Sequence, residues 1–308
     1  MKKLTIIVPS YNEEKNVPLF YEETKQFCTH QEFEFEFLFV NDGSKDQTLA
    51  EIKKLVQLDS RVKYISFSRN FGKEAAMHAG LEASRNSDAV VIIDCDLQQP
   101  PSLIPVMISH YLEGYKIVYT KGASRKGEPK LRTIFANLYY RIYNRYTDTP
   151  LDNGAKDYQL LDKDVVAAFL SLKDNYRFVK GIFSWVGFKR KRLEYEFIPR
   201  KHGKSTWSFK SLFRYGFNGM NQFSQILMII PTLIFIGAIL LLGTNIGLYS
   251  FGIFDIVAFL LALQINVLVF IIAILTYILL YMNYGIRRQV LNRPIYLVEE
   301  ESEELLNE

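Results

Sequence analysis

Short apolar runs recur through the first part of the chain: LTIIV from Leu4, FEFLFV from Phe35, VKYISF from Val62, AVVIID from Ala89 and KIVYT from Lys116. Between them lie segments of helical character, such as NVPLFYEETKQFCT and DQTLAEIKKLVQL. Strand-like runs alternating with helices at this spacing predict βαβ units and a mainly parallel, Rossmann-like sheet. The runs do not match one another residue for residue, so this is not a repeat array. The pattern changes near Gln225. Ile226–Tyr249 and Ile256–Tyr284 are uncharged and apolar, and each exceeds the roughly 20 residues needed to cross a bilayer. They predict a two-helix transmembrane hairpin.

In parallel α/β sheets, ligands bind at the carboxyl ends of the strands. The residues there are PSYNEE, NDGSKDQT, SRNFGKEAA and DCDLQQPP. Each stretch is polar, and one crevice would collect Glu13, Asp42, Lys73, Asp94 and Asp96. Taken alone, NDGSKDQT reads as a turn and helix cap; four polar strand ends together read as an open site. In an extended segment residues i and i+2 face the same way, so Asp94 and Asp96 are expected to share a site while Cys95 turns to the core. Paired carboxylates with the Gln98 carbonyl suit a hard divalent cation, Mg²⁺ or Mn²⁺, that keeps positions open for substrate phosphates. Gly72 and Lys73 open a helix whose N-terminus suits an anion, although a turn and a solvated lysine explain them equally well. Asp157, in NGAKDYQLL, stands at the entrance of another strand-like run as a cap or turn residue.

Downstream, TKGASRKGEPKLR reads as a basic loop. In the helix that follows, Leu131, Phe135, Leu138 and Ile142 form an apolar stripe, read first as core-packing and alternatively as an interfacial face. Arg200, Lys201 and Lys204 lie in a loop leading into Phe209, Leu212, Phe213, Phe217 and Met220 at helical spacing, an arrangement suited to a lipid phosphate, although charges that merely set topology explain it equally well. These features divide the chain into 1–205 (catalytic), 206–225 (amphipathic juxtamembrane helix), 226–286 (two transmembrane helices) and 287–308 (acidic tail, read as solvated).

Composition narrows the function classes. A net charge of +4 over 308 residues argues against nucleic-acid binding. Two separated cysteines, Cys28 and Cys95, read as buried thiols in a reducing compartment. No signal peptide is expected, since MKKLTIIVPSYNEE turns polar early. Lys210 and Arg214 before the first apolar run, with Arg287, Arg288 and Arg293 after the second, place the catalytic part and both termini in the cytoplasm. The expectation is a multi-pass protein of the bacterial cell membrane. A Gly-rich face on the first run would permit a homo-oligomer without requiring one.

VPSYNEEKN, VNDGSKDQT, SRNFGKEAA, DCDLQQPP and PRKHGKSTW, in this order, resemble the family 2 glycosyltransferases that glycosylate polyprenyl phosphates. The likeness is nearest to bactoprenol-phosphate glycosyltransferases and more distant to dolichyl-phosphate mannose synthases. The resemblance implies a GT-A fold, a UDP-sugar donor, a divalent metal and an undecaprenyl phosphate acceptor. It implies that Pro9, Tyr11, Glu13 and Asp42 hold the nucleoside, and that Asp94 and Asp96 belong to the donor and metal motif, joined by Gln98. It puts Asp157 at an active-site acid and Arg125, Arg200, Lys204 and Ser205 at the acceptor phosphate. Lys121-Gly122, where the family often has Arg, and Thr206, where it often has Lys, depart from that pattern. The implied activity is inverting hexosyl transfer, with glucose favoured over N-acetylglucosamine, to a lipid-linked sugar for cell-envelope glycans. A processive polysaccharide synthase is disfavoured, because neither Trp185 nor Trp207 follows an Arg as its Gln-x-x-Arg-Trp motif requires. An inactive, membrane-anchored nucleotide-sugar-binding or scaffold protein is the alternative from another class.

Overall fold

The computed structural model describes residues 1–123, 130–147, 149–172, 178–196, 215–220, 222, 236–237, 254–290 and 294–306. The strands are β1 (Lys2–Ser10), β2 (Phe33–Asn41), β3 (Val62–Phe67), β4 (Ala89–Ile92), β5 (Ile117–Gly122), β6 (Ala155–Asp162), β7 (Arg190–Tyr195) and β8 (Val298–Glu301). They form one sheet in the order β7-β5-β6-β4-β1-β2-β3-β8. The helices are α1 (Asn16–Lys25), α2 (Thr48–Leu58), α3 (Lys73–Ala83), α4 (Ile104–Leu112), α5 (Lys130–Arg145), α6 (Lys163–Ser171), α7 (Val179–Trp185), α8 (Phe254–Val290) and α9 (Glu303–Leu306).

The central strands are apolar on both faces because helices cover both. Leu4, Ile6 and Val8 of β1, with Phe33, Phe35, Phe37 and Phe39 of β2, pack under α1, α2 and α4. Ile7, Leu38 and Val40 point the other way, under α3, α6 and α7. This two-sided burial makes a parallel strand read as a continuous oily run. On the second face α3 lies close on β1: a Cβ at Gly80 would stand 2.4 Å from Ile7 Cγ2. Glycine there sets the depth of α3, and with it the position of Lys73 at its start.

β1, β2, β3 and β4 are mutually parallel, so their carboxyl ends share one edge. The order β4-β1-β2-β3 puts the topological switch point beside β1, where such sheets open a crevice. The sheet as a whole is mixed. β6 runs antiparallel to β4 and β5, and β8 antiparallel to β3. A period-2 apolar pattern fixes which face is buried but not the direction of the strand. The reversal of β6 has a consequence for chemistry: Ile92 pairs with Gln159, and extending that register by two residues sets Asp94 across from Asp157.

Three expectations need correction. The C-terminal segment is not a solvated tail. β8 closes the β3 edge, Ser302 is buried, Lys53 pairs with Glu300 at 2.6 Å, and Tyr296 stacks on Phe67 at 4.8 Å. Among the described side chains of α5 Tyr143 is buried, while Phe135 and Leu138 of the expected stripe are about half exposed and do not pack into the core.

The third correction concerns the membrane. The first apolar run lies outside the described residues except for 236–237. The second lies within α8, which meets the 215–220 helix through Tyr281, whose hydroxyl donates to Asn218 Oδ1 at 2.9 Å. Among the described residues no helix is long and apolar enough to cross a membrane. The two-span hairpin and the multi-pass placement with both termini cytoplasmic are therefore not supported.

Candidate active site

The site forms where β4 ends. The strand stops at Ile92, and the chain turns through Cys95 and Asp96 instead of continuing extended. The alternation expected to align Asp94 with Asp96 is replaced by this turn. Leu97 completes it at φ 56°, a left-handed conformation that a side chain adopts at a cost and that recurs at functional sites. Cys95 and Asp96 are both buried. Asp96 Oδ1 accepts the Gln98 N–H at 3.1 Å. Gln99, not Gln98, brackets Asp94: its Oε1 accepts the Asp94 N–H at 3.3 Å and its Nε2 donates to Asp94 Oδ2 at 3.2 Å.

Lys73 ties this turn to β6. Gly72 precedes it at φ 100°, and the Lys73 ammonium then reaches Asp94 Oδ1 at 2.5 Å and Asp157 Oδ2 at 2.7 Å. Lys180, on α7, stands 3.7 Å from Asp157 Oδ1 and donates to the Ala155 carbonyl at 3.1 Å. Burial works to raise the Asp157 carboxyl, but Lys180 and Lys73 outweigh it and hold the group well below the usual carboxylate range. Asp94 is pushed up by burial and by the charges of Asp157 and Asp96, against the pull of Lys73. Burial opposes the charge on Lys73, yet Asp157 and Asp94 raise it and keep it protonated. Asp157 and Lys180 also line a cavity of about 50 Å³ with Tyr119, Tyr140, Asp152 and Arg190.

On the other side of β1, the loops after β1, β2 and β3 interlock. Asn12, at φ 56°, receives the Lys45 N–H on Oδ1 at 2.9 Å and donates its own N–H to Ser44 Oγ at 3.0 Å. The Glu13 N–H donates to Thr48 Oγ1 at 2.7 Å, and the Asn16 amide donates to Glu13 Oε2. Asp42 is buried and accepts the N–H groups of Phe71 at 2.7 Å and Gly72 at 2.9 Å. Burial pushes its carboxyl up to about 6, against those two hydrogen bonds and Arg69. Pro9 and Tyr11 are partly exposed at the same edge.

The structure thus brings Asp94, Asp96, Asp157 and Lys73 together, with Pro9, Tyr11, Glu13, Asp42 and Gln98 along one sheet edge. Lys73, expected as an anion ligand, is engaged between two carboxylates. Arg125, Arg200, Lys204 and Ser205 lie outside the described residues. Sequence reasoning missed Lys180, a lone lysine in FVKGIF without a motif, and Tyr195, whose buried hydroxyl has no hydrogen-bond partner among the described residues. Lys121, at one of the departures, pairs with Asp152 at 2.9 Å.

Among the described residues no group of three or more His, Cys, Asp or Glu side chains is arranged to hold a metal. Asp94 and Asp96, with Gln98 beside them, leave a smaller oxygen donor set. It fits a Mg²⁺-type ion, which takes one or two carboxylates and completes its shell with water and substrate phosphates.

The family described as glycosyl transferase family 2 matches residues 5–170. The putative glycosyltransferase CsbB of Bacillus subtilis (strain 168) is 45% identical over 222 residues, 72% of this chain and 67% of that protein. The uncharacterized glycosyltransferase YkcC of the same organism is 39% identical over 223 residues, 72% of this chain and 68% of that protein. The prophage bactoprenol glucosyl transferase homolog of Escherichia coli (strain K12) is 35% identical over 222 residues, covering 72% of each. A crystal structure of glucosyl-3-phosphoglycerate synthase from Mycobacterium tuberculosis with Mn²⁺, UDP-glucose and phosphoglyceric acid has a TM-score of 0.48 at 15% identity, covering 71% of this chain and 79% of that one. That likeness is too slight to argue from.

Proposed function

We propose a lipid-linked sugar transfer for this chain, which belongs to glycosyl transferase family 2: a hexose, glucose by preference, moves from a UDP-sugar to a polyprenyl phosphate such as undecaprenyl phosphate. The observation that carries the reading is the bridge of Lys73 between Asp94 and Asp157 at the carboxyl edge of the sheet, with Asp96 beside Asp94 in the turn. Relatives named bactoprenol glucosyl transferases support the class of acceptor.

In this reading Pro9, Tyr11, Glu13 and Asp42 border the nucleoside, and Asp94, Asp96 and Gln98 the diphosphate. Asp94, Asp96 and Gln98 would hold a divalent ion, Mg²⁺ or Mn²⁺, which when bound would supply positive charge against the departing UDP. Lys73 keeps Asp94 and Asp157 apart in charge and fixed in place. Asp157, held ionised by Lys180 and Lys73, orients the reacting groups. It need not take a proton, because a phosphate monoester with a second pKa of about 6 is already mostly anionic near neutral pH. Arg125, Arg200, Lys204 and Ser205 hold the acceptor phosphate. Direct attack of that phosphate on the anomeric carbon inverts it and gives a β-linked sugar phosphate lipid from an α-linked donor.

The test is a panel of radiolabelled UDP-sugars incubated with the full chain and undecaprenyl phosphate in detergent, with Mg²⁺, Mn²⁺ or a chelator. Label entering the lipid phase with one sugar and stopping with the chelator is expected. UDP-sugar binding without transfer to any polyprenyl phosphate would sink the acceptor assignment.

A further inference from the structure

The first turn of α3 carries a second charged side chain beside Lys73. Glu74 Oε2 accepts the Val179 N–H at 2.9 Å, and the Tyr215 hydroxyl donates to the same carboxylate. Val179 begins α7, and the next residue is Lys180, the second cation on Asp157. The preceding N–H, of Phe178, donates to Gln222 Oε1 at 3.0 Å. The opening of α7 is therefore held by α3 from one side and by residues around 215–222 from the other. The ring of Phe178 lies 5.0 Å from that of Tyr215, and a Cβ at Gly219 would come within 3.0 Å of it. The 215–220 helix rests directly on this junction, and α8 rests on that helix through Tyr281 and Phe217.

We propose that Glu74 is a positioning residue for the transfer, a proton-responsive tie that holds α7, and through it the Lys180 ammonium, against Asp157 and joins this array to the 215–220 helix. The proposal rests on the transferase reading given above. Among the described residues, the charged and titratable groups around Glu74 are Lys73 on its own helix, Asp157 of β6, Lys180 of α7 and Tyr215, with Tyr140 of α5 behind Lys180 and Tyr215. Burial, then the charge of Asp157, pushes the Glu74 carboxyl up to about 7, against Tyr215, the Val179 N–H and Lys180. The group thus changes charge near neutral pH. Ionised, it accepts from both Val179 and Tyr215 and faces Lys180. Protonated, it loses its charge and one accepting position, and the grip on α7 loosens. Transfer therefore gains an ascending limb with a midpoint near 7.

The test uses the full chain in detergent and compares wild type with Glu74→Gln and Tyr215→Phe. One arm follows amide exchange of residues 178–185, corrected for the intrinsic pH dependence, about one unit below and above pH 7. In wild type, protection is lost on the acid side; in Glu74→Gln it is equal on both. The other arm follows transfer against pH. The limb near 7 disappears in Glu74→Gln with KM for the donor unchanged, and moves to higher pH in Tyr215→Phe, which removes a hydrogen bond to the ionised form. An unaltered limb in Glu74→Gln, or wild-type protection indifferent to pH, overturns the proposal. Should Glu74→Gln fail to fold, an unshifted limb in Tyr215→Phe overturns it equally. Absence of transfer by wild type at every pH contradicts the proposed reaction instead, and the exchange arm still decides the tie.

Discussion

Replacing Lys73 with methionine keeps the length of the side chain and removes the ammonium between Asp94 and Asp157. Those contacts are 2.5 and 2.7 Å, and the three side chains are 26%, 25% and 20% exposed. At an effective dielectric of about 20, two unit charges about 4 Å apart attract by about 4 kcal/mol. The cost of desolvating the ammonium offsets much of this, but removing one partner leaves two carboxylates facing each other with reduced compensation. Breaking a buried pair in this way costs about 3–5 kcal/mol; partial exposure brings the expected loss here to about 2–4 kcal/mol. The loss has a pH signature. Asp157 in the wild type lies below its ordinary value, so its contribution is present above the unfolded pKa and lost as pH falls through the folded one. Lys73→Met removes part of that contribution, and the two proteins converge in stability in acid. Urea unfolding of Lys73→Met, Asp157→Asn and the double variant at neutral pH measures the coupling, expected at about 1.5 kcal/mol or more. A Lys73→Met variant within about 0.5 kcal/mol of wild type, or a coupling near zero, would mean that the ammonium does not compensate the two carboxylates.

Asp42 has the opposite sign. A rise from 3.8 to about 6 means that its stabilising contribution is full below about 4 and is lost as pH rises through about 6. Relative to Asp42→Asn, wild type should lose on the order of 3 kcal/mol across that window in pH-dependent unfolding; a constant difference would contradict the burial argument. Gly43→Ala would place a Cβ 2.2 Å from the Arg69 carbonyl carbon at φ 61°, against backbone that cannot move aside. A loss of about 2 kcal/mol, or a Tm lower by about 4–8 °C, is expected by calorimetry, and an unchanged Tm would count against that close approach. Tyr296→Ala removes the stack on Phe67 and the hydrogen bond to Glu82 at 2.7 Å. It should cost about 2–3 kcal/mol in urea and expose 294–306 to protease; resistance equal to wild type would mean that β8 is held by other contacts.

Much of the catalytic half is legible in the sequence for a physical reason. β1 to β4 are buried on both faces, so they appear as apolar runs, and the polar residues that end them are the ones the sheet must present at its open edge. Asp94 and Asp96 were found through an extended geometry that the chain does not adopt. The inference of proximity still serves, because a turn also keeps residues two apart close together. β8 was hidden because an edge strand reading VEEE carries charge where a central strand carries valine; Tyr296 and Ser302 anchor it, and neither belongs to a periodic pattern. Asp157 was visible only by resemblance, since nothing local shows that β6 runs backwards and delivers its first residues to the site. Lys180 and Glu74 act through contacts between elements far apart in sequence, which no local spacing encodes.

Whether sugar transfer takes place at the carboxylates beside Lys73 is decided by single-turnover transfer from the productive UDP-sugar to undecaprenyl phosphate by wild type, Asp96→Asn and Asp157→Asn, each first shown to unfold at a comparable urea concentration. A fall of about 10²-fold or more is expected in both variants, the scale on which removing a preorganised charge from a reacting centre acts. Transfer within about threefold of wild type, in folded protein, would place the chemistry elsewhere.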